Sequence, residues 1–77
     1  MNKKEFIESL AEILMADPSM LRDDDRLDQF SAWDSMGQMA VLAMIDEKVG
    51  TTINFGALEK VVTVGDVVAL VKGQVED

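Results

Sequence analysis

The sequence predicts a small all-α protein, a bundle of three main helices and one short helix with a long first loop. Two segments repeat apolar residues at helical spacing, and a third, residues 36–49, has no proline and consists mostly of good helix formers. A single Pro and the absence of a low-complexity tract indicate a folded chain, and 77 residues suffice for one core only. We therefore expect a single domain over residues 1–77.

The first helix is predicted over residues 3–16. Asn2 and Glu5 have the spacing of an N-terminal cap, and the apolar residues that follow at helical spacing are Phe6, Leu10, Ile13 and Leu14. Pro18 disfavours helical geometry at Asp17 and ends this helix. No clear helical pattern returns before residue 35, so a long loop follows. The apolar residues expected to anchor it are Met20, Leu21, Leu27, Phe30 and Trp33.

The second helix is predicted from Met36 to Val49, with Gly50 as its C-cap. It has more apolar residues than one buried stripe requires. One face is formed by Val41, Leu42, Ile45 and Val49, and a second face by Met36, Met39, Ala40 and Ala43. The second face is either buried, because the helix is central in the bundle, or exposed as a partner surface, and the periodicity is compatible with both.

Two further helices are predicted near the C-terminus. A short helix over residues 57–61 follows a β-prone segment, residues 51–55. The last helix is predicted from Val64 to about Gln74, because Thr63 and Asp66 have capping-box spacing. Its apolar stripe consists of Val64, Val67, Val68 and Val71. Four valines would also suit a strand, but they do not alternate strictly, which favours the helix.

Charge and composition argue against several classes of function. Fifteen acidic residues against seven basic ones give a net charge of -8, which repels nucleic-acid phosphates and anionic membranes and favours partners with basic patches. No signal peptide is evident, and the longest apolar run, residues 39–45, is too short to span a bilayer, so we expect a cytoplasmic location. With no His, no Cys and no evident group to activate a hydroxyl, we do not expect an enzyme.

An acidic run in the first loop partly resembles the loop of a calcium-binding EF-hand. The run consists of Asp23, Asp24, Asp25 and Asp28. An EF-hand loop needs Gly at its sixth position and an acidic ligand, usually Glu, at its twelfth, and counting from Asp23 these positions hold Asp28 and Asp34. We predict no metal site here, and a looser divalent-ion site stays open as an alternative.

The segment Trp33-Asp34-Ser35-Met36 places a serine at the start of the second helix. It resembles the Asp-Ser-Leu motif of acyl carrier proteins, in which the serine receives 4'-phosphopantetheine from coenzyme A. Order and spacing are similar to that family over nearly the whole chain, including Asp46-Glu47-Lys48-Val49-Gly50 and Glu59-Lys60-Val61. The resemblance implies an acyl-carrier-like four-helix bundle with the cofactor attached covalently to Ser35. Considered locally, Ser35 or Asp34 fits equally well as a helix N-cap alone.

The same resemblance implies partners and further site residues. A monomeric carrier would meet a phosphopantetheinyl transferase, then acyl-loading enzymes and synthases with basic surfaces, in fatty-acid, polyketide or related biosynthesis. The implied recognition residues are Asp34, Met36, Met39, Ala43, Asp46 and Glu47. The implied lining of an acyl pocket is Ile45, Val49 and Val61. The alternatives are a peptidyl or aminoacyl carrier, and an unmodified acidic adaptor or divalent-ion-binding module.

The sequence also departs from the family pattern. Met36 replaces the usual Leu, and neutral residues stand where fatty-acid carriers commonly have acids: Gly37, Gln38 and Ala40. Residues 54–57 likewise include no acidic residue, so the segment before Glu59 carries little negative charge. These departures favour a specialised pathway over housekeeping fatty-acid synthesis.

Overall fold

The computed structural model describes residues 1–75 and contains four α-helices. They are α1 (Lys3–Leu14), α2 (Ser35–Met44), α3 (Phe55–Lys60) and α4 (Val64–Leu70). A 3-10 turn, Leu27–Gln29, lies in the first loop, and a π-helical segment, Ile45–Val49, continues α2. Within residues 1–75 the extended pairings are two isolated bridges, so the predicted all-α fold is confirmed. Positions 76–77 of the predicted domain lie outside the described residues.

α1 begins as predicted and ends two residues early. The Asn2 side chain accepts the Glu5 N–H at 2.8 Å, and the Glu5 side chain accepts the Asn2 N–H at 3.0 Å. The helix ends where Met15 turns into the left-handed region at φ 58°. The predicted end at Ala16 depends on Pro18, whereas the helix ends at a left-handed turn on Met15, and a residue other than Gly gives no sequence signal for such a turn.

The long first loop is tied to the start of α4. The carbonyl groups of Asp23 and Asp25 accept the N–H groups of Gly65 at 2.7 Å and of Val64 at 3.0 Å. These bonds satisfy N–H groups that a helix start leaves without intrahelical partners. Leu27 donates to the carbonyl of Val62 at 2.9 Å, one residue before the cap of α4. The loop therefore has a defined path despite its length.

Most of the predicted loop anchors do reach the core. Leu27 is buried, and Leu21, Phe30 and Trp33 pack half-buried against the core cluster. Met20 is 69% exposed, so its prediction as an anchor was wrong. Met20 lies in a turn closed by its own N–H, which donates to the Asp17 carbonyl at 3.0 Å, so the turn does not need the Met20 side chain to be buried.

α2 differs from the prediction at both ends. It begins one residue earlier, because Asp34 is the N-cap and accepts the Gly37 N–H at 2.8 Å. After Met44 the chain continues as a π-helix, with hydrogen bonds five residues apart, in place of the predicted α-helix to Val49. Gly50 ends it as predicted, with φ 84° and its N–H donating to the Ile45 carbonyl at 3.0 Å.

α3 and α4 also have shifted boundaries. α3 begins at Phe55 because Asn54 accepts the Gly56 N–H at 2.7 Å, and residues 51–55 form no strand. α4 has the predicted capping box of Thr63 and Asp66 but ends at Leu70 and not near Gln74. The helices are short, and none within residues 1–75 has the length and apolar character needed to cross a membrane.

The core lies where the four helices meet. Its buried residues are Phe6, Leu10, Leu14, Leu27, Val41, Met44, Ile45, Leu58, Val64, Val67 and Val71. α2 packs against both α1 and α3. Its Val41 side is buried, whereas Met36 and Met39 face solvent, so the surplus apolar face of α2 is exposed and not central.

Candidate functional site

Ser35 is the first residue of α2 and is exposed. Ser35 and Met36 occupy the first two positions of α2, where a backbone N–H has no intrahelical acceptor, and within residues 1–75 neither of their N–H groups donates a hydrogen bond. Free N–H groups and the positive end of the helix dipole favour an anion at this position. An exposed hydroxyl beside them therefore fits a covalently attached phosphodiester.

The turn that precedes Ser35 is held by consecutive hydrogen bonds. Asp34 donates its N–H to the Ala32 carbonyl at 3.0 Å, and Trp33 donates to the Phe30 carbonyl at 3.0 Å. The Asp34 carboxylate accepts the Gly37 N–H at 2.8 Å. Asp34 is thus the helix cap, and Ser35 is not needed for that role.

Gly37 is the residue of this site whose role the sequence analysis missed. It is buried in the first turn of α2, and a Cβ added there would lie well inside 3.0 Å of the Ala32 carbonyl oxygen and 3.1 Å from its carbon. Only a glycine lets the turn before Ser35 come this close. The available signal was a glycine early in a helix. Glycine lowers helix stability, so its presence there indicates that the backbone needs the space.

Beyond Ser35, α2 presents an apolar face without charge. Met36 is 80% exposed and Met39 is 62% exposed, and Ala40 and Ala43 are exposed as well. Met39 lies four residues after Ser35, which places both on the same side of the helix. No residue from 35 to 44 is charged. This apolar surface therefore adjoins the Ser35 hydroxyl.

Asp46 and Glu47 lie exposed in the π-helical segment, on opposite sides of Ala43. Asp46 lines a cleft of about 340 Å³ with Met39, Leu42, Ala43, Thr52 and Ile53. The Thr52 hydroxyl approaches the Asp46 carboxylate at 3.4 Å. Glu47 instead lines a groove between α1 and α2, which Ala43 also borders. The two carboxylates therefore flank the far end of the apolar face.

The three residues predicted to line an acyl pocket belong to the core or border it. Ile45 is fully buried, and Val49 and Val61 pack half-buried against the core cluster. A pocket between them would have to open by separating side chains that are packed in this conformation.

Three of the four carboxylates in the acidic run of the first loop make internal contacts. Asp23 pairs with the Lys3 ammonium at 3.0 Å, and Asp25 accepts a backbone N–H. Arg26 pairs with Asp28 at 3.0 Å, and this hydrogen bond lowers the pKa of the Asp28 carboxyl. Within residues 1–75 no three His, Cys, Asp or Glu side chains are grouped to hold a metal ion.

Residues 4–71 match the family model described as the phosphopantetheine attachment site. The match runs from the first turn of α1 past the end of α4 and includes Ser35. No curated protein and no solved structure matches the chain significantly. The chain therefore belongs to the phosphopantetheine-attachment family, a class of carrier domains that hold a covalently attached cofactor. Its cofactor is covalently attached 4'-phosphopantetheine, and the resemblance to acyl carrier proteins is confirmed.

Proposed function

We propose that this protein is an acyl carrier and that Ser35 is the attachment residue. The arm supplies a terminal thiol that holds acyl intermediates as thioesters, and the chain presents them to enzymes of fatty-acid, polyketide or related biosynthesis. The supporting observation is the exposed Ser35 hydroxyl beside two free N–H groups at the start of α2, within a chain that matches the attachment family. The dipole of α2 stabilises the negative charge of the phosphodiester.

The attachment step is proposed to be catalysed by a separate transferase, since the neighbouring carboxylate, that of Asp34, already accepts the Gly37 N–H at 2.8 Å. The Ser35 Oγ forms a bond to the phosphorus that bears the pantetheine group of coenzyme A, and the phosphoanhydride bond to that phosphorus breaks. Adenosine 3',5'-bisphosphate leaves with the electron pair, and the serine proton passes to a base on the transferase. This chain supplies the hydroxyl and the fixed turn that presents it.

Partner recognition is proposed to use the apolar face of α2 and the carboxylates at its ends. Met36, Met39 and Ala43 would supply apolar contact. Asp34 at one end, and Asp46 and Glu47 at the other, would meet basic groups on transferases and synthases. The net charge of -8 favours such encounters. The carrier is proposed to act as a cytoplasmic monomer without catalysis of its own.

The pathway is proposed to be specialised. Gly37, Gln38 and Ala40 leave the first turns of α2 without acids, so a synthase that reads them cannot depend on charge there. The acyl chain is proposed to enter between Ile45, Val49 and Val61 after these side chains separate.

The test is modification of the purified protein. It is incubated with coenzyme A, magnesium and a broad-specificity phosphopantetheinyl transferase, and its intact mass is measured. We expect the added mass of one phosphopantetheine group, lost in Ser35→Ala and kept in Ser31→Ala, which removes another exposed serine. An unmodified wild type, or equal modification of Ser35→Ala, would refute the proposal. Loading with acyl or aminoacyl donors then identifies the cargo.

A further inference from the structure

The backbone before Ser35 packs directly onto the helix that begins there. The Ala32 carbonyl oxygen occupies the space where a side chain of residue 37 would start. The same oxygen accepts the Asp34 N–H at 3.0 Å, and the Asp34 side chain accepts the Gly37 N–H at 2.8 Å. Ala32, Asp34 and Gly37 therefore form one closed set of contacts, and Ser35 lies within the loop of chain that they close.

We infer that Gly37 is a positioning residue for phosphopantetheine transfer to Ser35. This inference rests on the function proposed above. A Cβ at residue 37 forces the Ala32 carbonyl to move by about 1 Å, because the obstructing atoms are backbone and not a flexible side chain. Since Asp34 is hydrogen-bonded to that carbonyl, the residue next to the nucleophile moves with it. The absence of a side chain at position 37 is therefore a geometric requirement of this chain.

Helix propensity and packing predict opposite results for Gly37→Ala. In a helix without tertiary contacts, Ala is the better residue and would raise the melting temperature. The packed Ala32 carbonyl predicts that the melting temperature falls, and that the Ser35 hydroxyl is displaced from the position in which it can attack.

Gly65 provides a control with a milder contact at another helix start. It also lies in the first turn of a helix, and a Cβ there would meet a loop carbonyl, that of Asp23, at 3.0 Å. Gly65→Ala therefore strains a loop-to-helix contact of the same kind at α4, a different helix from the one that begins with Ser35.

The experiment measures kcat and KM of a broad-specificity transferase with each purified carrier as substrate, at a temperature where circular dichroism shows all variants folded. For Gly37→Ala we expect kcat to fall about 10- to 100-fold, the range for a misplacement of about 1 Å, with KM little changed because the apolar face of α2 is intact. For Gly65→Ala we expect both constants within about twofold of wild type. A folded Gly37→Ala carrier modified at the wild-type kcat would overturn the inference.

A second variant covers the case in which Gly37→Ala does not fold. In Ala32→Gly/Gly37→Ala the glycine at position 32 frees the turn to swing away, so the helix can form without the contact. Slow modification of this folded variant supports the inference, and wild-type kcat refutes it. The proposed function fails separately, since it requires that wild type take up the group and that Ser35→Ala not do so.

Discussion

Replacing Met39 by Gln tests whether enzymes that act on Ser35 contact the apolar face of α2. Full burial of a methionine side chain contributes about 1.5–3 kcal/mol. Because 62% of Met39 is still exposed, a partner that covers it gains about 1–2 kcal/mol, a factor of about 5 to 30 in affinity. Gln has similar length and flexibility, so the change removes mainly apolar contact. We expect kcat/KM for transfer to fall by that factor, mostly through KM.

The matched control for this prediction is Met20→Gln. Met20 is 69% exposed in the first loop, so the two substitutions expose similar polar surface and should leave the melting temperature equally unchanged. Because no residue from 35 to 44 is charged, the Met39 effect should persist at high salt. If Met39→Gln and Met20→Gln had the same kinetic constants as wild type, the apolar face would not be a contact surface for the transferase.

Three further predictions concern stability. Met15→Gly should raise the free energy of unfolding in urea by about 1 kcal/mol, because it removes a left-handed conformation from a residue with a Cβ, and an unchanged midpoint would contradict this. The N–H groups of Val62 and Thr63 lower the pKa of the Asp66 carboxyl below its ordinary value. The carboxylate therefore stabilises the fold above its ordinary pKa, and this stabilisation is lost as the pH falls through the lowered pKa. Asp66→Asn should destabilise the protein at pH 7, by an amount that shrinks in acid. Finally, added salt or magnesium should raise the melting temperature of a chain with net charge -8, and a flat response would contradict self-repulsion.

Helix starts could be predicted from the sequence better than helix ends. The starts of α1 and α4 depend on caps, at Asn2 and Thr63, that are visible within three residues of chain. The end of α1 depends on Met15 entering a left-handed conformation, and α2 changes to π-helix after Met44 without a Pro or Gly to mark it. These ends depend on how helices pack against their neighbours, which a local pattern does not contain.

In the candidate site, too, features set by local sequence could be predicted and features set by packing could not. The position of Ser35 at a helix start could be predicted, because the motif and the helix pattern are both visible in the local sequence. The role of Gly37 could not, since it depends on where the Ala32 carbonyl lies after the first loop has folded. The exposure of Met36 and Met39 was one of two open alternatives, and it was decided by the position of α2 beside α1 and α3.

The two free N–H groups at the start of α2 have a consequence for the carrier itself. A phosphodiester on Ser35, as proposed, adds a permanent negative charge at a helix end whose first turn holds no acidic residue and whose cap is Asp34. An anion in that position stabilises a helix by about 0.3–1 kcal/mol. We expect this local stabilisation of α2 to exceed the repulsion that one more negative charge adds to a chain of net charge -8, so the modified protein should melt at a higher temperature than the unmodified one before any acyl group is loaded. In the proposed carrier, the arm on Ser35 would also act as a second N-terminal cap, so that attachment of the cofactor and stabilisation of α2 would occur in a single covalent step.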